Sequence, residues 1–267
     1  MFCRRNETAG RAGCFRQGRT FAVPVIFVGL REFEKGSHTL KFPKTNQYAQ
    51  TFLLENMMGS NAMKLLEELA QQFRFEPGMR VLDLGCGRGL TSIFAKEYGV
   101  QVHATDLWVP ATENFRRFQQ LGLGRQIVPI HAEAHALPCA GGFFDAAVSV
   151  DVYYYFSRDL DYLDAHLAPL HHSTVCVQEI HPNSPEAIVA VWSAEGYDTF
   201  QTCAWWERLF RQSRTVELQS IGELQGTAEC WNDWLATDNE RAVGDRKARD
   251  TGALDCLNMV GFVLKKH

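Results

Sequence analysis

Three glycines on alternate positions, Gly85, Gly87 and Gly89, follow a short apolar run that carries one acid, Val81-Leu82-Asp83-Leu84. Glycine allows a sharp turn at positive φ and lets a ligand lie against the main chain. The run before it reads as a buried parallel strand, since strands covered on both faces lose polar alternation. After it, Leu90, Ile93, Phe94 and Tyr98 fall at helical spacing. Strand, glycine turn and helix make a nucleotide cradle at the carboxyl end of a strand. A second acid, Asp106, closes the strand-like run Val100–Asp106, seventeen residues beyond Gly89. A carboxylate there can accept both ribose hydroxyls of a nucleoside. The alternative is a helix N-cap, because Pro110-Ala111-Thr112-Glu113 opens the next helix.

The glycine spacing is G-x-G-x-G, not the G-x-G-x-x-G that seats a dinucleotide pyrophosphate. The stretch Asp83-Leu84-Gly85-Cys86-Gly87-Arg88-Gly89 resembles motif I of class I S-adenosylmethionine-dependent methyltransferases. The segment His131-Ala132-Glu133-Ala134-His135-Ala136-Leu137-Pro138 is similar to the G-D-A-x-x-L-P segment that encloses adenine in their small-molecule members. Alanine replaces its glycine and the longer Glu133 its aspartate. Phe144 and Asp145 match the Phe-Asp pair entering the family's fourth strand. The resemblance implies S-adenosyl-L-methionine as cofactor, held by Asp83, Gly85, Cys86, Gly87, Gly89, Asp106, Leu107, Glu133 and Ala134. It implies a Rossmann-like α/β fold: a doubly wound seven-stranded sheet, mostly parallel with an antiparallel last strand. Specific motifs cover about residues 76–180.

The remaining chain is read for what positions these residues. Ile127–Ile130 forms a third strand whose Pro129 suits an edge. Ala146–Val150 forms a fourth and Thr174–Ile180 a fifth. Val216–Leu224 and Asn258–Leu264 are late strands resembling the family's antiparallel pair. Asp159–Leu170 and a segment including Trp205–Phe210 read as helices, and His171-His172 as a loop. Cys230–Ala253 reads as helix plus an exposed polar loop, Asn239–Thr251. Before the domain, 41–75 reads as an N-terminal helical lid of two helices, with Ser60 as N-cap of the second. Residues 1–40 carry arginines ahead of the apolar run Phe21–Val28, the outline of a signal peptide, but Pro24 interrupts the run and no small-residue cleavage site follows. They are expected to be a poorly ordered extension. The boundaries are therefore 1–40, 41–75 and 76–267.

Methyl transfer from a sulfonium needs two reactants held in line and dry. No metal cluster or nucleophilic triad is needed, and none is legible; no C-x-x-C pair exists among the eight cysteines. The Pro-Pro-Tyr/Phe signature of amide and base methylation is absent after the fourth strand, where Asp151-Val152-Tyr153-Tyr154 stands. The net charge of −4 without a basic block gives no nucleic-acid footprint. A small-molecule acceptor is expected, an amine ahead of a hydroxyl or thiol. Asp151 and Tyr153 are the catalytic candidates; Tyr48, Glu55, Tyr154 and Trp205 are the substrate candidates. In a strand-like continuation Tyr153 and Tyr155 would face one way and Tyr154 the other. Aromatic faces there suit a sulfonium or an amine gaining charge. Cysteines that sit inside apolar runs as small hydrophobes, and the lack of any ~20-residue apolar run, point to a cytoplasmic protein away from membranes. The oligomeric state is not legible. Two other functions share the sheet: a nicotinamide-dependent oxidoreductase, disfavoured by the glycine spacing and the absence of Tyr-x-x-x-Lys, and a non-catalytic S-adenosylmethionine-binding protein.

Overall fold

The structure, a computed structural model, describes residues 31–32, 42–155, 160–167, 172–194 and 200–267. Its strands are β1 (Arg31–Glu32), β2 (Arg80–Leu84), β3 (Gln101–Asp106), β4 (Ile127–His131), β5 (Ala146–Val150), β6 (His172–Ile180), β7 (Val216–Glu223) and β8 (Leu257–Lys266). They form one sheet in the order β1-β7-β8-β6-β5-β2-β3-β4. Seven of these are the expected strands, and β8 alone runs antiparallel to both its neighbours. The eighth, β1, adds two residues beside β7. Phe21–Val28 lies outside the described residues.

The central strands follow from their composition. In β2 the four residues after Arg80 are buried, and all five of β5 are. Helices cover such strands on both faces, which removes any polar alternation. Pro129 falls on β4, which pairs only with β3. Its missing N–H therefore interrupts no central ladder. Chain order reverses beside β2, between β3 on one side and β5 on the other. Loops leaving the carboxyl ends of β2 and β5 part there and open a crevice.

The helices that frame the crevice are α1 (Gln50–Asn56), α2 (Ala62–Leu69), α3 (Leu90–Ala95) and α4 (Ala111–Gln120). Further along come α5 (Leu160–Tyr162, continuing as a wider turn to Leu167), α6 (Glu186–Ala194), α7 (Cys203–Phe210), α8 (Thr227–Leu235) and α9 (Glu240–Asp250). Residues 159 and 168–170 of the expected Asp159–Leu170 helix lie outside the described residues. Three expectations are corrected. Asn61, not Ser60, caps α2 by accepting from the Lys64 N–H. Asn239–Thr251 is mostly helix, not loop: Asn239 caps α9, and Trp234 Nε1 donates to Asp245 over 2.7 Å to seat it. His172 begins β6 instead of sitting in a loop.

Helix α2 carries three charged residues, Lys64, Glu67 and Glu68, that are all buried. Glu67 accepts from the N–H groups of Lys44 and Thr45, and Glu68 from those of Gln225 and Gly226. Lys64 pairs with Glu229 and, at 2.8 Å, with Asp233. Buried charges persist when partners satisfy them in this way. The residues before α1 and the start of α8 are thereby fastened to one helix. Among the described residues no helix is long and apolar enough to cross a membrane. The six described cysteines are free of disulfides.

Candidate active site

The glycine loop turns as its spacing requires. Gly85 and Gly89 take φ of 76° and 85°, where a side chain is strained. A Cβ on Gly89 would meet the Phe118 ring at 2.6 Å, and one on Gly85 would meet Val152 at 2.6 Å. The loop is fixed from three sides. Thr105 O accepts from the N–H groups of Gly85 and Cys86. Asp106 Oδ2 accepts from Gly87 N over 2.8 Å. The buried Asn114 amide donates to Gly87 O over 2.9 Å, an anchor that sequence pattern did not single out.

Asp106 does not cap α4. Its Oδ1 accepts from Trp108 and Val109 N–H instead, both at 2.8 Å. Each oxygen of a carboxylate has two acceptor sites, so Oδ2 keeps capacity for a hydroxyl. Asp83 is placed differently from expectation. It is buried below the loop and lines no cleft; its Oδ2 accepts from Thr91 and Ser92, each at 2.5 Å. Burial pushes its carboxyl up to about 6, against the pull of those hydroxyls. It positions α3.

Beyond Asp106 lies a mostly apolar slot of about 330 Å³, lined by Leu107, Ala134, Glu133, Trp108 and Tyr155. Glu133 is half-buried and turned toward His135, accepting from its N–H at 3.0 Å and lying 2.7 Å from Nδ1. The His135 contact holds the Glu133 carboxyl below its usual range. The glycine loop, Asp106 and this slot fit a nucleoside: backbone approach, a ribose acceptor and an apolar sheet for a base.

Next to the slot is a tighter cleft of about 130 Å³, which shares Gly85, Asp106, Trp108, Val152 and Tyr155 with it. Asp151 stands in its wall. It is the one described non-glycine residue at positive φ, 58°, which turns the chain sharply out of β5. Such a conformation suits aspartate better than most side chains and still stores local strain. Asp151 Oδ2 accepts from Ser60 Oγ at 2.8 Å; Oδ1 accepts from Gln178 Nε2 at 2.8 Å and Tyr154 OH at 3.0 Å. A Cβ on Gly59 would lie 2.9 Å from Oδ2. Burial raises the Asp151 carboxyl above its usual range, with the three donors opposing.

The tyrosines do not continue the strand. The left-handed turn at Asp151 sends Tyr153–Tyr155 into a 3₁₀ turn. Tyr153 is fully buried and packs against Tyr162, Trp206 and Phe210, away from the cleft. Tyr154 and the exposed Tyr155 both line the cleft. Of the lid candidates, Tyr48 donates to Glu97 elsewhere, and Glu55 borders a neighbouring groove. Trp205 packs on Trp206 and lines neither space. The lid's contribution runs from Asn56, the last residue of α1, through Ser60, with Ala62 at the start of α2.

Sequence reasoning missed Gln178, which lines the cleft beside Asp151, and the further lining by Phe200, Trp231, Trp234, Arg241 and Asp245. Arg241 also lies over the Trp108 ring at 5.4 Å. Two buried polar atoms of this lining, Gln178 Oε1 and Trp231 Nε1, have no hydrogen-bond partner. Apart from the cleft, carboxylate and imidazole atoms of Glu179, His181 and Glu223 lie within 4.8 Å of one another, a grouping not legible in sequence. Glu179 there already accepts from Cys203 N at 2.6 Å.

Residues 81–170 match the model of a family described as a methyltransferase domain. No curated protein matches the chain. Among solved structures, phosphoethanolamine N-methyltransferase 2 of Haemonchus contortus, in complex with S-adenosyl-L-methionine, is similar at a TM-score of 0.64 and 19% identity, over 84% of this chain and 59% of that one. Geranyl diphosphate C-methyltransferase of Streptomyces coelicolor A3(2) follows the same fold at a TM-score of 0.59 and 16% identity, over 84% and 78%. A structure of MccD protein aligns at a TM-score of 0.58 and 15% identity, over 76% and 96%.

Proposed function

We propose that this chain, a class I methyltransferase by its fold and its matched domain, methylates the nitrogen of a small-molecule amine. The observation carrying the reading is Asp151: a half-buried carboxylate, held by three donors, in a cleft walled by aromatic rings and adjoining the nucleoside slot. Such walls favour a cation, and an amine gains positive charge as it is methylated. A hydroxyl or thiol acceptor gains less from them.

S-Adenosyl-L-methionine, when bound, supplies a methyl group already activated on a sulfonium. The chain's residues hold the two reactants. The glycine loop offers backbone without side chains, and Asp106 offers the ribose acceptor. Leu107, Ala134 and Glu133 border the base. Asp151 accepts an N–H of the amine and turns its lone pair toward the methyl carbon. The nitrogen forms the new N–C bond while the S–C pair stays on sulfur, and the nitrogen then gives its extra proton to Asp151 or to water. The raised Asp151 carboxyl suits that proton better than an ordinary aspartate would. Tyr153 is left in a packing role.

The similar structures fit a small acceptor, since their names give a phosphorylated amine and a terpenoid diphosphate. The test is incubation of the full chain with methyl-labelled cofactor and matched small amines, alcohols and thiols. Transfer to amines is expected. Transfer only to alcohols or thiols would overturn the amine reading, and cofactor binding without transfer to any acceptor would favour a binding protein.

A further inference from the structure

Gln178 sits near the end of β6, is 6% exposed and lines the cleft beside Asp151. Its amide orientation is fixed. Nε2 donates to Asp151 Oδ1 at 2.8 Å and lies 3.5 Å from Tyr154 OH. The opposite orientation would set a carbonyl against the carboxylate. Oε1 is therefore the free end, and it is buried without a donor. Most buried side-chain polar atoms in native proteins are satisfied, so an unpartnered one on a residue that lines the cleft is an offer to a ligand.

We propose that Gln178 reads N–H groups on the acceptor, accepting one at Oε1 while Asp151 accepts another, so that the site selects primary amines over tertiary ones. This rests on the amine reading above. A neutral primary amine has two N–H groups and one lone pair. Two acceptors, a carboxylate oxygen and an amide oxygen, engage the two N–H groups and leave only the lone pair to face the methyl donor. A hydroxyl has a single hydrogen and cannot satisfy both. A tertiary amine has none, and would bury Oε1 unpaired against methyl groups. The step balances as before: the N–C bond forms, the S–C bond breaks with its pair on sulfur, and one N–H proton leaves afterwards. Each methyl added removes one hydrogen that the site reads, so repeated methylation weakens the acceptor's own hold.

The test uses the full chain saturated with S-adenosylhomocysteine, titrated by NMR with dimethylammonium and tetramethylammonium. These cations have equal charge but two N–H groups and none. The wild type should bind dimethylammonium at least fivefold tighter. Gln178→Met should bring the ratio close to one, with S-adenosylhomocysteine affinity within about twofold. Gln178→Glu, which keeps an oxygen in that position, should retain the preference. If tetramethylammonium binds the wild type as tightly or tighter, the inference is overturned with no variant needed. If Gln178→Met keeps the wild-type ratio, N–H selection lies elsewhere and the inference fails while the amine reading stands. If neither cation binds, the amine reading itself fails and takes the inference with it.

Discussion

Ser60 Oγ donates to Asp151 Oδ2 over 2.8 Å, although ninety-one positions separate the two residues. The loop between α1 and α2 thereby reaches the carboxyl end of β5 and fixes the carboxylate on which the proposed chemistry turns. Ser60→Ala removes a donor that favours the ionised form, so the Asp151 carboxyl should rise further. The acid limb of the rate–pH profile should move to higher pH, and stability should fall by about 1–3 kcal/mol for a buried acceptor left short of a donor. A steady-state pH series beside a denaturant titration measures both. An acid limb that stays in place would detach Asp151 from the rate.

Asp106 joins the glycine loop to the proposed ribose position. Asp106→Ala should weaken S-adenosylhomocysteine binding at least tenfold in calorimetry, since each charge-assisted hydrogen bond is worth about 1.5–3 kcal/mol. The loss includes the anchor on Gly87 N, so Asp106→Asn, which keeps one acceptor oxygen, should fall between the two. Equal affinity in all three proteins would remove Asp106 from the site.

The glycines of the loop should not be equivalent. At Gly89 a Cβ meets a buried ring at 2.6 Å; at Gly87 it meets only the flexible Met58 side chain, at 3.1 Å. Gly89→Ala combines overpacking with strain at positive φ and should cost about 2–4 kcal/mol of stability. Gly87→Ala should cost about 1 kcal/mol from backbone strain alone. Its larger effect should be on cofactor affinity, because the new methyl enters ligand space. Urea unfolding and calorimetry separate the two losses.

Asp83 should leave a mark on pH dependence. Its folded carboxyl is raised to about 6 from 3.8. For a raised acid the folded state binds the proton more tightly, so its contribution is fully present below the unfolded value and is lost as pH rises through the folded one. Between about pH 4 and pH 6 the wild type should lose about 3 kcal/mol relative to Asp83→Asn. Parallel stability curves for the two proteins across that window would show that Asp83 is not the group responsible.

Local patterns carried the cofactor half of the crevice and long-range packing carried the rest. The glycine loop, Asp106 and the edge position of Pro129 depend on strand, turn and helix signals within a few tens of residues. The wall beyond Asp151 does not. Gln178, Trp231, Trp234 and Asp245 meet the cleft only because β6, α8 and α9 fold back over it. Periodicity in each segment says that a face is buried, not against what. The charged run Asn239–Thr251 read as a loop because its composition is polar; a cap and the Trp234–Asp245 hydrogen bond make it helical. Tyr153 departs from strand alternation for one physical reason: the positive φ of Asp151 ends the strand period before it.

The charges buried along α2 bear on how the molecule comes apart. Peeling this helix from the domain would strand Lys64, Glu67 and Glu68 together with the amides and acids they serve, on segments near residues 44 and 225. No partial opening at that point is cheap. The helix should therefore unfold with the sheet, and its amide hydrogens should exchange with solvent as slowly as those of the central strands. Any breathing that admits an acceptor is left to the Met58–Ser60 loop and to α9, which has one buried residue, Ala242.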